Sequence, residues 1–252
     1  MYLPLESHDC YHYQFDDILH LLPDDIALVL NNTKVLPTKL LGKRENGAVF
    51  ETLLTRELEN GQWEALVKKA KKIKSGETLF FGKTLKAQAI ERHEDGSWIL
   101  SFEEPTQLRA TLKKEGHAPL PPYISRKASD EFTSLLDKER YQTVYAKKEG
   151  AIAAPTAGLH FTINILAKLA NREIPIEEVT LHVGRGTFET VKVDDPRQHR
   201  MHEEHYEIDA DVWSRLKRYQ KEGRRIIAVG TTVVRVLETL ARQDEPKLTG
   251  TT

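Results

Sequence analysis

Four short segments carry side chains able to do chemistry. At Gly230-Thr231-Thr232 the apolar run Arg225–Val229, read as a buried strand, meets a helical pattern running Val233–Ala241. A glycine there permits a tight turn, and the free N–H groups at a helix start favour an anion. The two hydroxyls, with Arg235 one turn further on, suit a carboxylate, a phosphate or ribose hydroxyls; an ordinary helix cap is the other reading. The second segment, Ala154–Thr162, sets Thr156, Gly158 and His160 in a run of small residues just before a helix. Such a loop can lie close to a ligand, and a histidine titrates near neutrality. A packed loop with a hydrogen-bonded histidine fits the same residues.

The third segment is Thr180–Phe188, in which His182 precedes Gly184-Arg185-Gly186-Thr187 at a strand end. It lacks the third glycine and the following helix of a dinucleotide fingerprint, which excludes a Rossmann nicotinamide site. The fourth, His199–Tyr206, holds three histidines. A zincin helix needs histidines four apart, whereas His202 and His205 are three apart. If Tyr206-Glu207-Ile208 is strand, His202, Glu204 and Tyr206 share one face at period two, and a carboxylate beside a histidine fits proton transfer better than metal capture. No metal site is expected.

These segments need elements to hold them. Ile26–Leu30 reads as a short strand after the turn at Leu21–Asp25. Val49–Thr55, Trp63–Val67, Thr78–Phe81, Leu85–Ile90 and Trp98–Phe102 read as strands divided by Gly-containing turns, the pattern of a small antiparallel barrel or sandwich. Three prolines in Pro119–Pro122 make the next stretch a stiff crossing. Thr162 caps a helix Ile163–Asn171 with Ile163, Leu166 and Leu169 at helical spacing; Val179–Val183 is a strand; Asp209 or Asp211 caps a helix through Val212, Leu216 and Tyr219 that stops at Gly223. Alternating strand and helix implies an α/β layer with parallel pairing. The expected division is an α/β domain from residues 1–42 and 116–252 with a β-barrel domain, 43–115, inserted in it.

Composition narrows the class. Among 252 residues, 37 Lys+Arg against 38 Asp+Glu give a net charge of −1, with 39% hydrophobic residues, which excludes a disordered chain. No apolar run approaches the roughly 18–20 residues needed to span a bilayer. Near-neutrality argues against a coat of positive charge for non-specific DNA binding, but leaves room for a local basic face. The run Lys68–Lys74, with Lys68 and Lys71, is either a solvated face or a phosphate-contacting patch. Arg140 and Tyr141, with Tyr145, mix charge and aromatic rings that could stack on bases or form the edge of a core. The single cysteine, Cys10, can form no internal disulfide, and the N-terminus carries no secretion signal, so a cytoplasmic setting is expected.

Seven segments in order, Asn31–Pro37, Gly116–Ile124, Arg140–Tyr145, Ala154–Thr162, Thr180–Phe188, Met201–Tyr206 and Gly230–Thr232, resemble the S-adenosylmethionine:tRNA ribosyltransferase-isomerase family of queuosine biosynthesis. The resemblance covers nearly the whole chain. It implies an α/β domain with an inserted β-barrel, and an enzyme that transfers and isomerises the ribosyl part of S-adenosylmethionine onto 7-aminomethyl-7-deazaguanine at the wobble position of a tRNA with a GUN anticodon. Epoxyqueuosine-tRNA, adenine and methionine would be the products. S-adenosylmethionine is a co-substrate, and no metal or redox cofactor is implied. The sulfonium acidifies the adjacent ribose carbon, so proton transfer is assigned to His160, His182 or His202, with Glu204 beside them. Substrate contacts fall to Thr156, Gly158, Gly184, Gly186, Thr187, Thr231, Thr232 and Arg235, tRNA contacts to Lys68, Lys71, Arg140 and Tyr141, and a monomer is expected.

The chain departs from the family pattern in three places. The family has further segments before Met1 and after Thr252, and a shortened sheet would expose an edge. Arg185 stands between glycines where a small or apolar residue is expected, and Lys69-Ala70 stands for Pro-Gly. The alternatives are a shortened, non-catalytic tRNA-binding module and a methyltransferase, the latter weakened by the missing Gly-rich loop. Adenine release, S-adenosylhomocysteine or neither would separate the three.

Overall fold

In the computed structural model, which describes residues 10–58, 60–68, 73–121, 123, 124, 126, 131–184, 186, 194, 195, 198 and 202–252, the frame is set by one strand. Ile26–Asn31 (β1) is buried along its whole length, as befits a strand covered on both faces. Ile26, Leu28 and Leu30 point to one side and Ala27 and Val29 to the other, the period-two alternation of a strand. Thr33–Val35 (β2) follows and pairs in parallel with Lys148–Ala151 (β9), leading the chain out of the sheet.

The barrel comes next. Lys39–Arg44 (β3), Val49–Glu57 (β4), Trp63–Lys68 (β5), Thr78–Phe81 (β6), Leu85–Arg92 (β7) and Trp98–Phe102 (β8) close in the order β3-β4-β5-β8-β7-β6, each pairing antiparallel. Phe50, Leu54, Trp63, Leu79, Phe81, Leu85 and Leu100 fill it. The first strand begins at Lys39, ahead of the change in sequence pattern. Its inward positions are Leu40 and Gly42, and a Cβ on Gly42 would overlap the Phe50 ring, so the barrel interior needs the glycine that hides the strand from a periodicity count. Pro105–Glu115 (α2), also unread in the sequence, lays Leu108 and Leu112 into the same core. Ile18–Leu21 (α1) and Glu131–Arg140 (α3) are short; Tyr141 and Tyr145 lie beyond the end of α3, in a turn and not on a helix.

The remaining elements complete the sheet. Ile163–Asn171 (α4) starts where expected, with Thr162 Oγ1 accepting from the Ile165 N–H at 3.2 Å. Its buried residues are Ile165 and Leu169, with Ile163 turned out at 72% exposure. Ile176–Leu181 (β10) pairs in parallel with β1 and lies earlier than the expected Val179–Val183. The acidic pair at its start masks the strand, yet both charges are met. Glu177, 5% exposed, takes a two-pronged contact from Arg215 and a bond from the Tyr219 hydroxyl, while Glu178 accepts from Lys147 and Asn32.

His205–Glu207 (β11) pairs antiparallel with β10. Ala210–Lys221 (α5) leads to Arg225–Ala228 (β12), which pairs in parallel with β1. Expected as a buried strand, β12 is only half-buried because it forms the sheet's edge. Thr231–Ala241 (α6) and Thr249–Thr251 (β13) follow, and the sheet order is β12-β1-β10-β11-β13. Helices α5 and α6 cover the Ala27 face and α4 the Leu30 face, so the architecture is an α/β layer joined to a closed six-stranded antiparallel barrel.

Candidate active site

The carboxyl ends of the parallel strands β1, β10 and β12 meet at one rim, with β10 and β12 on opposite sides of β1, the position where open α/β sheets place their ligands. Asn31 organises that rim. Its amide nitrogen donates to the Leu181 carbonyl at 3.0 Å and to Thr232 Oγ1 at 3.2 Å, while its oxygen accepts from the Leu181 and Thr33 N–H groups at 3.1 and 3.2 Å. All four hydrogen-bonding capacities of the side chain are used, and one residue ties β10, β2 and the start of α6 together. Asn32 does the equivalent on the other face, donating to Glu178 and accepting from Thr180 Oγ1 at 2.7 Å.

His182 leaves β10 at this rim. Its Nδ1 lies 2.8 Å from Thr33 Oγ1, and a Cβ on Gly150 would come within 2.7 Å of its ring. The His205 ring stacks at 6.1 Å, and Glu207 is held by Lys148 at 2.6 Å. Burial, reinforced by the neighbouring His205 and Lys148 charges and opposed by Glu207, holds the His182 pKa below the ordinary histidine value. Lys148 likewise keeps Glu207 below the usual carboxylate range through their hydrogen bond.

Glu204 and Arg235 form a second group. Glu204 Oε1 accepts from the Gly184 N–H at 2.8 Å and Oε2 from Arg235 Nη1 at 2.8 Å; Arg235 also donates to the carbonyls of His202 and Thr252. Arg235, expected to hold a substrate's polar end, is thus engaged by the protein itself. Glu204, expected to assist proton transfer, spends both oxygens bracing the Gly184 turn. His202 sits against Gly186, where a Cβ would come within 2.8 Å of its ring, and gives its carbonyl to Arg235.

The turn Thr156–His160 lies against the same rim, since a Cβ on Gly230 would meet Ala157 Cβ at 3.1 Å. Thr156 and Thr231 are exposed and Thr232 half-buried, with the Thr232 Oγ1 accepting from Asn31. The backbone is held open at Gly230, with φ of 86°, a left-handed value that suits glycine. His160 is exposed, with Nδ1 3.2 Å from the Ala157 carbonyl and its ring 5.2 Å from that of Phe15. Gly158 is buried, and the space its side chain would take is filled by the Tyr145 hydroxyl, so this glycine serves packing where close approach to a nucleoside was expected.

The structure thus gathers His160, His182, His202, Glu204, Thr156, Gly184, Gly186, Thr231, Thr232 and Arg235 around one sheet rim. Thr187 and Lys71 lie outside the described residues, as do Arg185 and the Lys69-Ala70 pair. Lys68 ends β5 on the barrel and Arg140 ends α3, both exposed. Tyr141 is 7% exposed, packed with Val35, Ala118, Ala151 and Ala154, and burial pushes its pKa up; the ring has no free face on which a base could stack. Asn31, Thr33 and Gly150 were missed as site residues because their partners lie up to about two hundred positions away, with no local pattern to announce them. Among the described residues no three His, Cys, Asp or Glu side chains group as a metal-ion site, and no helix is long and apolar enough to cross a membrane.

The sequence is similar to known proteins along most of its length. The model of a family described as queuosine biosynthesis protein matches residues 1–252. Proteins named S-adenosylmethionine:tRNA ribosyltransferase-isomerase from Thermotoga petrophila and Thermotoga maritima are each 44% identical over 234 residues, covering 93% of this chain and 67% of theirs. A crystal structure of S-adenosylmethionine tRNA ribosyltransferase from Thermotoga maritima shows 31% identity, with 94% of this chain and 63% of that one covered and a TM-score of 0.36. The chain spans about two thirds of the length of the relatives it matches. It belongs to the queuosine biosynthesis protein family.

Proposed function

We propose that this chain transfers and isomerises the ribosyl moiety of S-adenosylmethionine onto 7-aminomethyl-7-deazaguanine at the wobble position of a GUN-anticodon tRNA, giving epoxyqueuosine-tRNA, adenine and methionine. The observation that carries the reading is the family match along all 252 residues. The geometry supports it in chemical terms. A base removes a proton from the ribose carbon beside the sulfonium, and the electron pair left there opens the sugar. Adenine departs with the pair of its glycosidic bond, and the aminomethyl nitrogen attacks the carbon that adenine left and gives up a proton. Closure of the new ring expels methionine with the pair of its carbon–sulfur bond. This sequence asks for proton-transfer groups, for which His160, His182 and His202 at the sheet rim are the candidates, and for hydroxyl donors, for which Thr231 and Thr232 at a helix start are the candidates.

The chemistry needs no metal or redox cofactor, since S-adenosylmethionine brings its own leaving groups. Exposed Lys68 and Arg140 are candidates for tRNA phosphate contacts. The enzyme acts as a monomer in the cytoplasm, a setting supported by a single cysteine that can form no internal disulfide.

The test is adenine release from S-adenosylmethionine, with tRNA carrying the 7-aminomethyl-7-deazaguanine base and unmodified tRNA as control. Release with the modified tRNA alone is expected. S-adenosylhomocysteine in place of adenine, or tRNA binding with neither product, would overturn the reading.

A further inference from the structure

We propose that His160 and His182 are held in opposite tautomers and divide the proton work, His160 Nε2 accepting a proton and His182 Nε2–H donating a hydrogen bond. This rests on the ribosyl-transfer reading. Hydrogen-bond bookkeeping assigns each ring. Thr33 is fully buried, and among the described residues the partner of its hydroxyl is His182 Nδ1, at 2.8 Å. If the Nδ1–H donated, the hydroxyl proton would be buried with no acceptor, a cost greater than that of one ordinary hydrogen bond. The hydroxyl therefore donates to the Nδ1 lone pair, and the ring proton of neutral His182 sits on Nε2. Gly150 lies against the Nδ1 edge of the ring, where a side chain would collide with it, so the glycine leaves room for this pose.

His160 is the reverse case. Its Nδ1 faces a carbonyl, that of Ala157, which can only accept. The proton must sit on Nδ1, and Nε2 keeps its lone pair.

The two assignments match the two needs of the reaction. The proton from the carbon beside the sulfonium goes to His160 Nε2. The pair left behind forms a double bond to the neighbouring ring carbon as that carbon's bond to the ring oxygen breaks, and the oxygen's pair forms a carbonyl at the carbon that bears adenine. Adenine takes the pair of the broken carbon–nitrogen bond, and its growing negative charge is met by the His182 N–H. The His160 imidazolium then returns the proton to adenine, so no net proton is gained or lost. A histidine kept neutral as a donor must resist protonation. The groups facing His182 are His205 and Glu207 of β11 and Lys148 of β9; burial, His205 and Lys148 favour the neutral ring, and together they outweigh Glu207, which favours the charged one. Thr33 acts through His182 and is a positioning residue.

Ring nitrogen-15 spectra of the full chain labelled at histidine, assigned with H160Q and H182Q, test the tautomers without substrate. A protonated Nε2 at His182 and a protonated Nδ1 at His160 are expected. In T33V the His182 tautomer should shift or become mixed, with turnover down about tenfold, while T33S keeps both at wild-type values. Glutamine places an amide N–H where Nε2–H stood, so H182Q should keep adenine release within about tenfold while H182A and H160Q lose on the order of a hundredfold or more. An Nδ1 proton on His182, or H182Q no better than H182A, would overturn the proposal. Wild-type adenine release with reversed tautomers defeats this inference alone; wild-type silence with the expected tautomers defeats the ribosyl-transfer reading.

Discussion

Glu204→Gln separates a brace from a proton-transfer group. The wild-type carboxylate is 8% exposed and accepts two bonds of 2.8 Å, from the Gly184 N–H and from Arg235, whose side chain is 22% exposed. Glutamine keeps the size but offers one oxygen and one amide nitrogen, so one of the two donors must face another donor. Losing one charge-assisted bond costs about 1.5–3 kcal/mol, and an unsatisfied buried donor costs about 1–3 kcal/mol more. Arg235 retains the carbonyls of His202 and Thr252, which holds the total near the lower half of that sum, about 3 kcal/mol. For a chain of this size that corresponds to a fall in melting temperature of roughly 6–12 °C. The assay is thermal unfolding of E204Q, R235M and the double variant, with adenine release measured in parallel. Because the two residues share one interaction, the double variant should lose less than the two single losses combined. An E204Q protein with unchanged melting temperature but abolished adenine release would refute the brace and return Glu204 to the chemistry.

Other outcomes follow from the same contacts. Gly158→Ala should destabilise by about 1–3 kcal/mol because its methyl would overlap the Tyr145 hydroxyl, and Y145F should restore part of the loss, both read by chemical denaturation. Y145F alone should leave stability unchanged or higher, since that buried hydroxyl has no hydrogen-bond partner among the described residues. Asn31→Ala strips partners from the Leu181 N–H and carbonyl, the Thr33 N–H and Thr232, and should cost about 2–4 kcal/mol; a denaturation midpoint within error of wild type would show that the rim is held otherwise. His182 and His117 are both held below the ordinary histidine value, mainly by burial. Below about pH 6.5 the unfolded chain therefore takes up protons that the folded chain refuses. Stability should be full above that pH and fall as the solution is acidified through the folded values, with a shallower fall in H182Q; a midpoint that rises from pH 7 to 5.5 would contradict the burial argument.

Local pattern carried much of the architecture. The Thr162 cap and the apolar spacing after it place α4, the turn glycines divide the later barrel strands, and the run at 26–30 marks a central strand. Each signal lies within a few residues of the element it specifies, where backbone geometry repeats at a period of two or 3.6. What tertiary structure decided is where local pattern and long-range partner disagree. Glu177 and Glu178 look like loop until Arg215, Tyr219 and Lys147 arrive to neutralise them; Gly42 looks like a break until Phe50 fills its place; Tyr141 looks like a stacking platform until four apolar neighbours bury it. The candidate site behaves the same way. Its histidines were visible as residue types, but their tautomers depend on Thr33, 149 positions from His182, and on a carbonyl only three positions from His160. Composition and spacing determine which groups are available. Only the folded chain decides which nitrogen holds the proton, because a hydrogen bond depends on distance and direction in space and not on separation along the chain.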